Sequence, residues 1–279
     1  AELLRRADVL LVNPVRDGLN LVAKEAGLSW GSVQNLFGDS DGFWSAVVDL
    51  MVEAGVDLMV IRGSFVSAEH VSGSVEPLNL KRFIYELDVP VIVGGCATYQ
   101  AALHLMRTGA AGVIVGVGAD SFSTGDDVMG IRVPLASAIA DAAAARRDYL
   151  DETGGRYVHV IANGRIETSG AIARALACGA DAVQLGEPLR VAAEPPAGGI
   201  WWDSVAAHPR LPRGGASAPL APVAPLYQVL LGPAETADGR TNLFGALART
   251  MAKTGYRDLK EFQRVDLVIG GYQPATQDD

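Results

Sequence analysis

Between Gly116 and Gly130 the chain gathers the hydroxyls of Ser121, Ser123 and Thr124 and the carboxylate of Asp120 in one loop that closes an apolar run. A serine hydroxyl becomes nucleophilic only when an adjacent base takes its proton, and no histidine lies near Ser123 in sequence. Three readings of Ser123 follow: a serine nucleophile, a hydrogen-bonding group toward a bound ring, or a polar loop residue without covalent chemistry. Two further loops place polar residues after apolar runs, Asn163-Gly164-Arg165 and Gly186-Glu187. Of the two thiols, Cys178 precedes a helix-ending glycine and reads as packing. Cys96 lies at a strand end, where a small core residue is the commoner role and a thiol facing a site mouth is the other. His70, His104, His159 and His208 share no metal-ligand spacing, so no metal site is expected. Gly116-x-Gly118 lacks the third glycine and the following acid of a dinucleotide fingerprint.

Loops of this kind hold reacting groups in register only when a rigid frame presents them. One pattern recurs: a glycine that closes a helix, a small step, then an apolar strand. It appears at 54–61, 109–116 and 179–186, with Gly55, Gly109 and Gly179 suited to the left-handed position after a helix. The strands are apolar almost throughout, as expected where helices cover both faces of a parallel sheet. Further strands are predicted at 8–12, 30–34, 90–94 and 157–162. Helices are predicted at 44–53, 99–108, 134–152, 169–178, 243–254 and 259–265. Strands and helices alternating in this way are βαβ units, and at this length they close as a (β/α)8 barrel. Seven strands can be counted, so either one unit near the N-terminus is abbreviated or the chain is incomplete there. Residues 191–241 break the rhythm, with eight of the fourteen prolines between 191 and 240. This reads as a flap-like Pro/Gly-rich insertion in a single domain spanning 1–279.

Composition narrows the partners. The net charge is −9 and no Lys/Arg run occurs, so nucleic acid has little electrostatic support as a partner. No apolar run reaches bilayer-spanning length, the N-terminal residues carry no signal-peptide apolar core, and two cysteines cannot make a disulfide framework. A cytoplasmic protein without a membrane partner is the expectation.

Residues 115–134, the stretch Ile161-Ala-Asn-Gly-Arg-Ile-Glu-Thr-Ser-Gly170, the strand Ala180-Asp-Ala-Val-Gln-Leu-Gly186 and the tail Met251-Ala-Lys-Thr-Gly-Tyr-Arg-Asp-Leu-Lys260 together resemble the IMP dehydrogenase / GMP reductase family. The similarity runs from about Val52 to about Val268 and is nearest to IMP-dehydrogenase-related paralogues without the regulatory CBS pair. It implies a TIM barrel, a purine mononucleotide ligand (IMP, GMP or XMP), NAD or NADP as cofactor, and a homotetramer, for which the hydrophobic tail 265–271 is a candidate interface. In the family a thiolate attacks C2 of the purine, and Ser123 stands at that cysteine's position beside Thr124. Ser121 matches a phosphate-binding serine, while Asp120 replaces a glycine and would repel a phosphate.

Further along, Asn163 stands where the resemblance implies an aspartate on the ribose hydroxyls. Gly164 and Gly186 are retained for nucleotide binding. Arg165 replaces a second glycine, Glu187 replaces a serine, and Arg62 replaces an aspartate on the dinucleotide side. Arg165 and Glu187 are expected to pair and partly fill the phosphate pocket; three solvated loop charges are the alternative. Two functions are consistent with this pattern. One is a nicotinamide-dependent oxidoreductase of guanine nucleotide metabolism, impaired in covalent chemistry. The other is a noncatalytic nucleotide-binding or regulatory subunit of a true dehydrogenase.

Overall fold

Six parallel strands lie side by side in strict chain order in the computed structural model, which describes residues 10–12, 55–62, 79–116, 132–194 and 221–268. They are β1 (Leu10–Val12), β2 (Met59–Arg62), β3 (Val91–Cys96), β4 (Gly112–Val115), β5 (His159–Asn163) and β6 (Ala182–Gln184). Sequential order with every neighbour parallel is the connectivity of a (β/α) barrel, in which each crossover carries a helix. The strand predicted at 30–34 and the helix predicted at 44–53 lie outside the described residues. The remaining predicted strands are present, with ends moved by up to three residues.

The crossover helices are α1 (Leu80–Tyr85) after β2, α2 (Tyr99–Met106) after β3, α3 (Leu135–Glu152) after β4 and α4 (Ser169–Ala177) after β5. Helix α3 shows why an alanine-rich sequence docks. Ala138, Ala142, Ala145 and Tyr149 are buried at spacings of four, three and four, a single stripe on a 3.6-residue helix. Small side chains let it lie close to the sheet. Helices α2 and α4 begin in the same way: Thr98 and Thr168 accept from the N–H groups of Ala101 and Ala171, each at 3.2 Å, satisfying a first-turn donor. Helix α4 ends at Gly179, whose φ is +113°. There the Ala180 N–H reaches back to the Ala175 carbonyl at 3.2 Å, the long bond of a glycine-stopped helix.

Side chains alternate across each strand, and burial sorts the two faces. Val91 and Val93, Val113 and Val115, and Val160 and Ala162 form the core with the helices. Gly94, Ile114, Ile161 and Ala182 are linked in register along the other face, as are Asn163 and Gln184. That second face is the barrel side. It is tight at Gly94, where a Cβ would lie 2.4 Å from that of Ile114.

At the N-terminal end of the sheet, Asp181 ties the tail to the barrel. Its side chain accepts from Arg146 Nη1 at 2.5 Å, Tyr157 Oη at 2.7 Å, the Val160 N–H at 2.9 Å and Gln263 Nε2 at 3.2 Å, and Lys260 Nζ also bonds it. Gln263 and Lys260 belong to the segment of α8 (Leu259–Phe262), which follows α7 (Leu243–Lys253). Buried Phe262, edge-on to Tyr256 at 6.0 Å, completes the contact. This end lies opposite the strand termini that carry chemistry in barrels. The network is structural.

The Pro/Gly-rich insertion is more ordered at its ends than its composition suggests. Ala192 and Ala224 form a parallel bridge, reinforced by Ala193 N–H to the Ala224 carbonyl at 3.0 Å and Val223 N–H to the Val191 carbonyl at 2.8 Å. A helix, α6 (Leu226–Leu231), follows directly after Pro225. Among the described residues no helix is long and apolar enough to cross a membrane.

Candidate active site

The C-terminal ends of β4, β5 and β6 converge on one small region. Gly116 ends β4 with φ +140°, and a Cβ there would lie 1.8 Å from the Asn163 carbonyl oxygen. Only glycine can bring the two strand ends this close. The Gly116 N–H is held by the Cys96 carbonyl at 2.8 Å. The loop bearing Asp120, Ser121, Ser123 and Thr124 therefore departs directly beside Asn163. Those four residues lie outside the described residues.

Asn163 closes β5 and is half-buried. Gly164 follows, and its carbonyl accepts from the Ile166 N–H at 2.8 Å. This tight turn sinks Ile166 into the core and turns Arg165 outward to solvent. Gly186 caps a four-residue helix, α5 (Glu187–Arg190). Asn163 and Gly164 lie at the end of β5, and Gly186 follows β6 two residues after Gln184, the register partner of Asn163.

The expected Arg165–Glu187 pair does not form. Glu187 Oε2 accepts instead from Arg190 Nη1 at 2.9 Å, and the Arg190 side chain is only 6% exposed. The reason is local: residues 187–190 make one helical turn, which puts positions three apart on the same face. The loop assumed in the sequence reading is a helix, so the partner lies within it. With a guanidinium at 2.9 Å, the Glu187 charge is offset, and its repulsion of a bound anion is weaker than a lone carboxylate's.

A second element closes over the same region. The Ser169 N–H, at the start of α4, donates to the Gly239 carbonyl at 2.9 Å, and Arg240 lies 4.0 Å from Glu167. A Cβ on Gly239 would come within 3.2 Å of Ser169 Oγ. The C-terminal end of the insertion thus occupies one of the free donors at the head of α4.

Thiol chemistry has no support from Cys96. It pairs in register with Val115 on the helix side, after a register shift at Gly94, and its Sγ donates weakly to the Ile114 carbonyl at 3.5 Å. Burial pushes its pKa up to about 12, so the nucleophilic thiolate is not formed at neutral pH. Cys178 is also raised by burial. Both are packing residues.

On the dinucleotide side, Arg62 stands in register with Gly94 at the end of β2; its side chain lies outside the described residues. Thr98 is engaged in capping α2. Among the described residues, the C-terminal ends of β2 and β3 offer no carboxylate to a dinucleotide ribose. The described part of this side does not fit a nicotinamide dinucleotide. Nor do three His, Cys, Asp or Glu side chains among the described residues gather as metal ligands would.

Gln184 was not singled out from the sequence. It ends β6 in register with Asn163, and its Oε1 is buried without a hydrogen-bond partner. The available signal was an amide in an otherwise apolar strand, Ala182-Val-Gln-Leu185.

A parallel sheet in chain order with polar groups collected at the C-terminal strand ends defines a barrel of the (β/α)8 class with its candidate site at the usual mouth. The IMP dehydrogenase / GMP reductase domain matches residues 40–218, and the chain belongs to that family. An uncharacterized oxidoreductase of Mycolicibacterium smegmatis is 59% identical over 227 residues, covering 81% of this chain and 60% of that protein. Inosine-5′-monophosphate dehydrogenase of Haemophilus influenzae is 38% identical over 149 residues, covering 53% of this chain and 28% of that protein. The crystal structure of an IMP dehydrogenase/GMP reductase-like protein from Corynebacterium glutamicum superposes with a TM-score of 0.74 at 47% identity, covering 94% of this chain and 61% of that one. The chain thus spans about 60% of the length of the mycobacterial relatives it matches.

Proposed function

We propose that the barrel binds a purine mononucleotide and belongs to guanine nucleotide metabolism, with its covalent chemistry impaired because Ser123 stands at the family's cysteine position. Asn163 and Gly164 hold the ribose end. Gly186 and Ser121 hold the phosphate end, and Thr124 flanks the reacting ring. The observation that carries this reading is the joining of β4 and β5 at Gly116 and Asn163, which starts the hydroxyl-bearing loop beside the amide. Family membership implies a nicotinamide dinucleotide as the oxidoreductase cofactor. That group would accept or supply hydride; the described residues on its side do not build its ribose site.

A noncatalytic role, as a nucleotide-binding subunit assembled with a true dehydrogenase, is favoured by one observation. The described thiol nearest the mouth, Cys96, is locked in the core as a neutral thiol and cannot replace the missing nucleophile. Calorimetric titration with IMP, GMP and XMP, with nicotinamide reduction or oxidation followed in parallel, separates these roles. Mononucleotide binding without turnover is expected. Absence of binding by all three nucleotides would sink the proposal, and turnover with a burst of covalent adduct would sink its claim of impaired chemistry.

A further inference from the structure

The loop that follows β5, which carries Asn163 and Gly164, is fastened at both ends. On one side Gly116 approaches the Asn163 carbonyl so closely that a Cβ would not fit between them. On the other, the turn 236–240 reaches residues 167–169. There the Ser169 N–H donates to the Gly239 carbonyl at 2.9 Å, and Arg240 Nη2 lies 4.0 Å from Glu167 Oε2. The turn is shaped for this approach. Asp238 Oδ1 accepts from Thr236 Oγ1 at 2.9 Å and from the Arg240 N–H at 3.0 Å, the side-chain bond that tightens such a turn. Gly239 takes φ +76°, and a Cβ on it would meet Ser169 Oγ at 3.2 Å and Thr168 Cβ at 3.3 Å. Conformation and contact both favour glycine there. Residues 233–238 and 240 are exposed, so the turn buries little apolar surface and adds little to the core. Its fit to the loop has to be explained otherwise.

The same turn is joined to the base of the insertion. Gln228 Nε2 donates to the Pro233 carbonyl at 3.1 Å and to Glu235 Oε1 at 3.3 Å. The Gln228 carbonyl accepts from the N–H groups of Gly232 and Asn242, each at 3.0 Å. At the start of α6 the Leu226 N–H donates to Glu194 Oε2 at 2.8 Å, beside the paired stem. A continuous run of hydrogen bonds thus leads from the stem through α6 and the turn to the loop that begins at Asn163. Resting on the mononucleotide reading above, we propose that the turn 236–240 is a latch that holds the post-β5 loop in its binding geometry, with Gly239 and Arg240 as positioning residues. Both act through the loop. With the latch closed, residues 164–168 are fixed between Gly116 and Gly239. With it open, the loop has to be ordered by the ligand, which weakens binding. The base of the insertion thereby sets the affinity of the site.

The test uses the full chain, titrated calorimetrically with IMP, GMP and XMP, with hydrogen exchange read by mass spectrometry on peptides covering 163–172. In wild type a bound nucleotide should slow exchange in these peptides, because ligand and closed latch favour each other reciprocally. Gly239→Ala should speed exchange there and weaken binding by about five- to tenfold, the worth of one hydrogen bond, while melting within a few degrees of wild type. Glu167→Gln removes a carboxylate near a bound anion, which on charge alone would tighten binding. The latch requires the opposite sign, a weakening of about two- to fivefold. If wild type binds none of the three nucleotides, the mononucleotide reading fails and the latch falls with it. If wild type binds but Gly239→Ala keeps its affinity, or the nucleotide leaves exchange unchanged, the latch alone is overturned. Tighter binding by Glu167→Gln would overturn the part assigned to Arg240.

Discussion

Replacing Asp181 with asparagine should cost more than a surface charge change, by an amount that depends on pH in a defined way. The side chain is only 7% exposed. Burial by itself would raise its pKa. The bonds from Lys260, the Val160 N–H and Tyr157, with the charge of Arg146, outweigh this and hold the carboxyl at about 2, against an ordinary 3.8. That difference corresponds to about 2.5 kcal/mol of folded-state stability at neutral pH. Because the folded value is depressed, the contribution is complete well above pH 4. It falls as the pH drops toward 2, with about half gone near pH 3. Asp181→Asn also leaves the nearly buried Arg146 without its carboxylate. The total loss at pH 7 should therefore move toward the roughly 3–5 kcal/mol typical of breaking a buried pair. Urea unfolding of wild type and variant at several pH values measures the difference directly. It should be largest at pH 7 and shrink steadily toward pH 2. A difference below about 0.5 kcal/mol at pH 7, the size of an ordinary surface change, or one that ignores pH, would refute the account of the clasp.

Other consequences follow from single contacts. Gly116→Ala forces a Cβ onto the Asn163 carbonyl, 1.8 Å away, and should destabilise by more than about 3 kcal/mol; a melting curve within a few degrees of wild type would contradict the close approach. Cys96, with its pKa pushed up to about 12, should resist an aromatic disulfide reagent in the native protein and react at the model-thiol rate in denaturant. Ser123→Cys should restore covalent trapping of an electrophilic purine mononucleotide, detected as added mass; no adduct despite measurable nucleotide binding would show that more than the nucleophile has been lost.

The repeating frame was legible because its signals are local. Gly55, Gly109 and Gly179 take positive φ of 86°, 100° and 113°, so reading them as helix stops located three strands correctly. The helical patterns at 99–108, 134–152 and 169–178 match α2, α3 and α4 within two residues, whereas the six-residue α1 is not among the predicted helices. The failures share a cause. Residues 187–190 and 226–231 are short helices beside prolines, too brief for periodicity to register, and were read as loop. That error then hid the true partner of Glu187. In the site, the resemblance implies roles for Asn163 and Gly186, which the structure places at the ends of β5 and β6. Gln184 escaped because nothing in a sequence shows which buried amide lacks a partner.

The paired stem of the insertion, Val191–Ala193 against Val223–Ala224, has a bearing on how this barrel can change. Once two strand ends are fastened together, the residues between them contribute to stability chiefly through closure entropy. That quantity rises only logarithmically, by about 0.6 kcal/mol for each doubling of length. Insertions or deletions between 195 and 220 should therefore leave the melting temperature almost unmoved. The stem acts as a socket: chain length can vary beyond it while the two segments it joins stay fixed.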